Sequence, residues 1–262
     1  MNIDMPIGFM DSGLGGISVL REALKLMPRE DYIYYGDSLN APYGVRPTEE
    51  IRALTVAVVE KLLGHGIKGL VVACNTATSA AVRYLRENYS GLPIVGIEPA
   101  VKPAVEMSHG GRILVMATPM TIAQEKYKRL LKRYAVGREI VSVPCAGLME
   151  FVESGDFEGK DLNGYFEEHL APYLTDDTET IVLGCTHYPF IRPQLKAYLD
   201  NDGISIIDGS AGTAREIKRR LMVEGLLQSD RKENGTVTIF NSLNNNEIIE
   251  RSEALLKMNL VY

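Results

Sequence analysis

Two of the three cysteines in this 262-residue chain stand in matching places. Ala-Cys-Asn-Thr-Ala at 73–77 follows the apolar run Leu-Val-Val, and Gly-Cys-Thr-His-Tyr at 184–188 follows Ile-Val-Leu. Cys74 and Cys185 are thereby set where a buried strand would emerge. A pair of thiols held on opposite sides of one small molecule suits proton transfer with inversion at carbon: a thiolate removes a proton from one face and a thiol returns one to the other. A free thiol with a pKa of about 8.5 is only a few per cent ionised at neutral pH, a penalty of about 2 kcal/mol that helix termini and neighbouring charges offset. The larger demand is the developing carbanion, which needs donors fixed in place before reaction.

The neighbours of each thiol extend this reading. Asn75, Thr76 and Thr78 put polar groups and free amides at a predicted helix start, where a thiolate is stabilised. Thr186 and His187 follow Cys185; on an extended segment Cys185 and His187 point to the same side, bringing an imidazole to the sulfur. Asp11 is placed to serve Cys74, and His187 to serve Cys185. The loop DSGLGG at 11–16 joins a strand to a helix, and its glycines let backbone amides converge on an anion; a tight turn with Asp11 or Ser12 as a cap is the plainer alternative. GSAG at 209–212 is a weaker copy, and in YGDSLNAPYG at 35–44, Tyr43 and Gly44 are candidates to line a pocket. Cys145 lacks such company and reads as structural. Glu150 and Glu153 fit the solvent face of a helix, and His65 and His109 sit in glycine turns. No CxxC or HExxH spacing supports a metal site.

The elements that must position these residues follow from periodicity. Strands are predicted at 6–10, 31–36, 68–73, 93–97, 112–117, 139–143, 180–184 and 204–208, and helices at 17–27, 48–63, 76–88, 121–134, 160–174 and 213–226, with Thr121 and Gln124 as a capping box for the fourth. The strand ends recur. Asp11 and Thr118 are 107 apart, Asp37 and Cys145 108, Cys74 and Cys185 111, Glu98 and Asp208 110. Four matches in order predict an α/β fold of two similar lobes, each a mainly parallel sheet flanked by helices, with the active site in the cleft between them. The lobes are 1–97 plus 209–262, and 98–208; the tail, with the strand-like GTVTIFNS and a last helix, returns to complete the first.

Composition is that of an ordinary globular protein, 45% hydrophobic and 24% charged, and a net charge of −6 offers no basic face to a nucleic acid. The N-terminal MNIDMPIGFM has no basic run ahead of a long apolar segment, and no stretch reaches the roughly 18–20 apolar residues of a membrane span. A cytoplasmic protein with reduced thiols and no membrane partner is the expectation.

Read together, DSGLGG, GDSLNAPYG, ACNTATSAA, GIEPAVKPA, ATPMT, LGCTHYP and IDGSAGTA, in order from Gly8 to about Ala214, resemble the glutamate racemases of the cofactor-independent aspartate/glutamate racemase superfamily. The resemblance implies interconversion of L- and D-glutamate for peptidoglycan synthesis, no cofactor, pyridoxal phosphate included, and a homodimer. It implies that Cys74 and Cys185 are the catalytic thiols, with Asp11, Glu153 and His187 assisting. Ser12, Pro42, Tyr43, Gly44, Asn75, Thr76, Thr118 and Thr186, together with Asp11 and His187, become the substrate contacts. The family often has Arg where this chain has Asn40, and small residues in place of Gln124-Glu125-Lys126. The rival readings are a racemase of a related amino acid such as aspartate, a cysteine hydrolase using Cys185 and His187 with Cys74 merely buried, and a two-lobed amino-acid-binding protein without turnover.

Overall fold

In the computed structural model, which describes residues 2–135, 137–157 and 160–258, the short aliphatic runs are strands and the amphipathic stretches between them helices. The chain divides into two units, Met1–Glu98 with Ser210–Met258, and Pro99–Gly209. Position 1 and positions 259–262 of the expected first lobe lie outside the described residues.

The first unit runs β1 (Ile7–Asp11), α1 (Ile17–Leu26), β2 (Tyr32–Gly36), α2 (Thr48–Gly64), β3 (Gly69–Val72), α3 (Asn75–Asn88) and β4 (Ile94–Gly96), and after the second unit α10 (Ser210–Val223), β9 (Val237–Asn241) and α11 (Asn246–Lys257). Its sheet has the order β4-β3-β1-β2-β9, every pair parallel, and the tail strand β9 pairs with β2 from Tyr32↔Val237 to Gly36↔Asn241. Alternation along β1 sends Met10 into the core beneath α2 and α3, with Leu70, Val72, Val59 and Ala81, and turns Ile7 and Phe9 the other way. The tail helices α10 and α11 both pack on α1.

The second unit runs α4 (Val101–Met107), β5 (Arg112–Ala117), α5 (Pro119–Ala123), α6 (Glu125–Tyr134), β6 (Ile140–Pro144), α7 (Leu148–Ser154), α8 (Lys160–His169), β7 (Thr178–Leu183), α9 (Arg192–Leu199) and β8 (Ser205–Asp208). Its parallel sheet reads β8-β7-β5-β6, which is the order β4-β3-β1-β2 of the first unit repeated. The recurring interval in the sequence is therefore a recurrence of topology. Asp11 and Asp208 end their strands, Asp37, Thr118 and Cys145 directly follow theirs, and Cys74, Glu98 and Cys185 lie two residues beyond. All eight stand at carboxyl ends, where ligands bind in open parallel sheets. No described helix is long and apolar enough to cross a membrane.

Three expectations are corrected. The helix expected at 121–134 is broken at Gln124, whose ψ of 139° is extended, and the expected Thr121–Gln124 capping box does not form. Instead Thr118 Oγ1 accepts the Thr121 N–H at 3.3 Å, three residues earlier, with Pro119 in the first turn. The helix expected at 160–174 stops at His169 and is followed by a single 3-10 turn at Ala171–Tyr173 around Pro172, which has no N–H to continue a ladder. The helix expected from 213 begins at Ser210, so the last three residues of GSAG lie in its first turn.

At the amino end of the second sheet, the Ser108–Gly111 turn closes on one carboxylate. Glu179 accepts the His109 N–H at 2.7 Å, the Ser108 hydroxyl at 2.8 Å and the Gly111 N–H at 2.9 Å. These donors, the His109 amide foremost, hold its carboxyl down at about 2, against an ordinary 4.5. A depressed carboxylate stabilises the fold in full above its unfolded pKa, and the contribution disappears as pH falls through the folded one. Glu179→Gln should accordingly lower the urea midpoint by a constant amount above pH 4.5, with the gap to wild type closing between 4.5 and about 2. A gap that ignores pH would show that the turn does not depend on the charge.

Candidate active site

In the first unit, β1 delivers Asp11 fully buried. Its Oδ1 accepts the Gly13 N–H at 2.8 Å, so the carboxylate folds the DSGLGG turn back on itself. The Gly13 amide is thus used inside the turn, and α1 has Gly16 as its N-cap, without a side-chain cap from Asp11 or Ser12. Gly16 is required by spacing: a Cβ there would lie 2.7 Å from the Asp11 Cβ and 2.9 Å from that of Ala73. Gly36 likewise lets β2 end against this turn, since its Cβ would lie 2.5 Å from the Gly13 carbonyl, which accepts the Tyr34 hydroxyl at 2.7 Å.

Cys74 is the N-cap of α3, which begins at Asn75, one residue before the expected helix start. Its Sγ accepts the Ala77 N–H at 3.4 Å and lies 3.5 Å from the Ser12 hydroxyl, in a place where the helix dipole favours negative charge. Thr78 donates to the Val72 carbonyl at 3.1 Å and anchors the start of α3 to β3. Asn75 and Thr76 are buried beside the sulfur, and Asn75 Oδ1 has no partner among the described residues, so it can accept a donor from a bound ligand. Tyr43, buried between half-buried Pro42 and Gly44, donates to Asp37 Oδ2 at 2.7 Å, and the Asn40 side chain donates to both Asp37 oxygens at 3.1 Å. Burial, then the bond to Asp37 and the charges of Asp37, Cys74 and Asp11, push the Tyr43 phenol far up, so it stays a neutral donor.

In the second unit, Cys185 Sγ is 3.6 Å from His187 Nδ1, and His187 Nε2 is 2.7 Å from Glu153 Oε1. The thiol and imidazole meet, but not through an extended segment: His187 has φ −74° and ψ −35°, and a turn brings the ring back onto the sulfur. Cys185 also lacks the α-helix start that holds Cys74, since only a 3-10 turn at Tyr188–Ile191 follows it. Burial works against a charged His187, yet the bonds to Cys185 and Glu153 outweigh it and raise the imidazole well above its ordinary value. Glu153 on α7 is the carboxylate that reaches the ring, and Glu150, three residues earlier, is exposed. Thr186 is buried next to Cys185, and Thr118 caps α5 at the end of β5. Cys145 is buried, its thiol pushed up to about 12 by desolvation, which suits an inert structural role.

The first unit thus offers a thiol among fixed donors, and the second a thiol–imidazole–carboxylate path along which a proton can pass. One participant was not singled out from residue type. Asp37, which holds Tyr43, carried a signal in its strand-end place, 108 residues before Cys145.

A sequence model of the family described as Asp/Glu/Hydantoin racemase matches residues 7–217. A glutamate racemase of Clostridium novyi (strain NT) is 53% identical over 253 residues, spanning 96% of this chain and 97% of that protein. The crystal structure of a glutamate racemase from Bacillus anthracis superposes with a TM-score of 0.86 at 31% identity, over 98% of this chain and 95% of that one. That of a Francisella tularensis glutamate racemase in complex with D-glutamate superposes with a TM-score of 0.83 at 26% identity, over 99% of this chain and 96% of that one. The chain is an amino-acid racemase, an isomerase, and it belongs to the Asp/Glu/Hydantoin racemase family.

Proposed function

We propose that the chain interconverts L- and D-glutamate by a two-base proton transfer without cofactor, with Cys74 and Cys185 as the bases. One sulfur, as thiolate, takes the α-proton; the Cα–H electron pair is delocalised into the substrate carboxylate; the other sulfur, as thiol, delivers its proton to the opposite face. The sulfurs thereby exchange protonation states, which is the state the reverse direction needs. The observation that carries the reading is the Cys185–His187–Glu153 chain, with distances of 3.6 and 2.7 Å, because it gives one thiol a route for its proton. Cys74, held by Ser12 and the Ala77 amide, serves the other face, with Asp11 close by in the same turn region.

Glutamate is favoured by the names of the relatives, of which the Clostridium novyi and Francisella tularensis proteins are described as glutamate racemases and the latter is bound to D-glutamate. Asn75, Thr76, Ser12, Tyr43, Thr118 and Thr186 bind the substrate in this reading. The lobes are 1–97 plus 209–262 and 98–208, the working form is a cytoplasmic homodimer, and the D-glutamate made supplies peptidoglycan. Purified protein incubated with L-glutamate and no added cofactor should bring the optical rotation to zero, and L-aspartate should racemise far more slowly. Unchanged rotation with glutamate would refute the proposal, and an acyl adduct on Cys185 with Cys74 dispensable would point to a hydrolase.

A further inference from the structure

The thiol–imidazole–carboxylate path works only if α7, which carries Glu153, is held at a fixed distance from the turn that carries His187. A helix of seven residues has no stability of its own, so the position of Glu153 is set by the packing of buried Leu148 and Val152 and by what holds the ends of α7. Its amino end is the turn 145–147, which Gly147 bends into the helix at φ 84°. Two buried tyrosines grip that turn by successive carbonyls. Tyr188, the residue after His187, is fully buried and donates to the Cys145 carbonyl at 3.0 Å. Tyr165 on α8 donates to the Ala146 carbonyl at 2.9 Å, and its ring meets Phe151 of α7 edge-on at 5.9 Å. The connections close on themselves: His187 is followed by Tyr188, Tyr188 holds Cys145, the turn starts α7, and Glu153 of α7 returns to His187 at 2.7 Å.

We propose that Tyr188 is a positioning residue for proton transfer, its hydroxyl fixing the 145–147 turn so that α7 sets Glu153 against His187, with Tyr165 as a second tie on the same turn. The inference rests on the reading of Cys185 as a proton-transfer group. Tyr188 itself touches no reacting atom in this scheme. Burial and the charges around it keep its phenol protonated, so the tie persists wherever the protein is folded.

Tyr188→Phe keeps the ring and removes the donor, and kcat should fall about ten- to hundredfold, the scale of a misplaced catalytic group. Rates alone would not distinguish misplacement from a loss of folded protein. Because the enantiomers are equal in energy, kcat/KM falls equally in both directions whatever the cause. Primary isotope effects on kcat/KM, measured with α-deuterated L- and D-glutamate, do distinguish them. Slowing only the Cys185 transfer raises the isotope effect for the enantiomer that Cys185 deprotonates and lowers it for the other. Tyr188→Phe should therefore drive the two isotope effects apart, in the same sense as Glu153→Gln, and Tyr165→Phe should do so to a smaller degree. If both tyrosine variants keep the two wild-type isotope effects while Cys185→Ala is inactive, the positioning role is overturned and the two-base reading stands. Should Tyr188→Phe not fold, Tyr165→Phe alone decides in the same way. Full racemisation by Cys185→Ala would overturn the reading and the inference with it.

Discussion

Alanine at Cys74 or at Cys185 is expected to lower glutamate racemisation by about 10²–10⁴-fold, the usual contribution of a positioned acid or base. Each thiol serves one face of the α-carbon in the proposed mechanism, and a full turnover in either direction uses both, so the loss should be equal from L- and from D-glutamate. The double variant should be little worse than either single one, because groups that act as a unit are not additive. A second readout separates the two faces. In D₂O, each single variant should still exchange the α-proton of one enantiomer with solvent, without inversion, and the two variants should differ in which enantiomer they exchange. Cys145→Ala is the comparison: it keeps the backbone carbonyl that Tyr188 holds and removes only a buried thiol pushed up to about 12, so it should lower stability and keep both proton-transfer thiols. Full turnover by either Cys74→Ala or Cys185→Ala, measured by optical rotation, would end the two-base account.

Much of this was legible in the sequence, for identifiable reasons. Parallel βα units have a nearly fixed length and change from apolar to polar residues at the strand's carboxyl end, so Asp11, Asp37, Cys74 and Glu98 recur as Thr118, Cys145, Cys185 and Asp208. Cys74 could be placed at a helix start because Asn-Thr-Ala-Thr reads as a cap and first turn. The break at Gln124 was hidden because Glu125, Lys126 and Lys128 favour helix, while the Thr118 cap starts a separate short helix at Pro119, two residues before the expected start. α4 and α9, of seven and eight residues, are too short for a 3.6-residue period to register. Glu150 and Glu153 are equivalent by residue type; the resemblance pointed to Glu153, and the docking of α7 brings it to His187 while Glu150 is exposed. His187 reaches Cys185 by a turn where an extended segment was expected, so the pairing was legible while its cause was not.

Removing one partner of the buried Lys68–Glu30 ion pair should destabilise the fold by about 3–5 kcal/mol, because the remaining charge is left uncompensated in the interior. The ammonium and carboxylate meet at 2.5 Å with side chains 1% and 2% exposed, and they are 38 positions apart, so nothing local in the sequence announces them. Each partner also holds a piece of backbone: Lys68 donates to the Ile3 carbonyl, and Glu30 Oε1 accepts the Gln228 N–H at 2.8 Å. Lys68→Met and Glu30→Gln should each lower the urea midpoint sharply. The double variant Lys68→Met/Glu30→Leu should recover only part of the loss, since it leaves those two backbone groups without their partners at about 1–3 kcal/mol each. The pair sits where β2 and β3 begin, whereas Asp11 and Cys74 lie where β1 and β3 end. Activity per folded molecule should therefore be unchanged in every one of these variants, the reverse of the thiol substitutions. A double variant less stable than both single ones would mean that the backbone ties outweigh the ion pair.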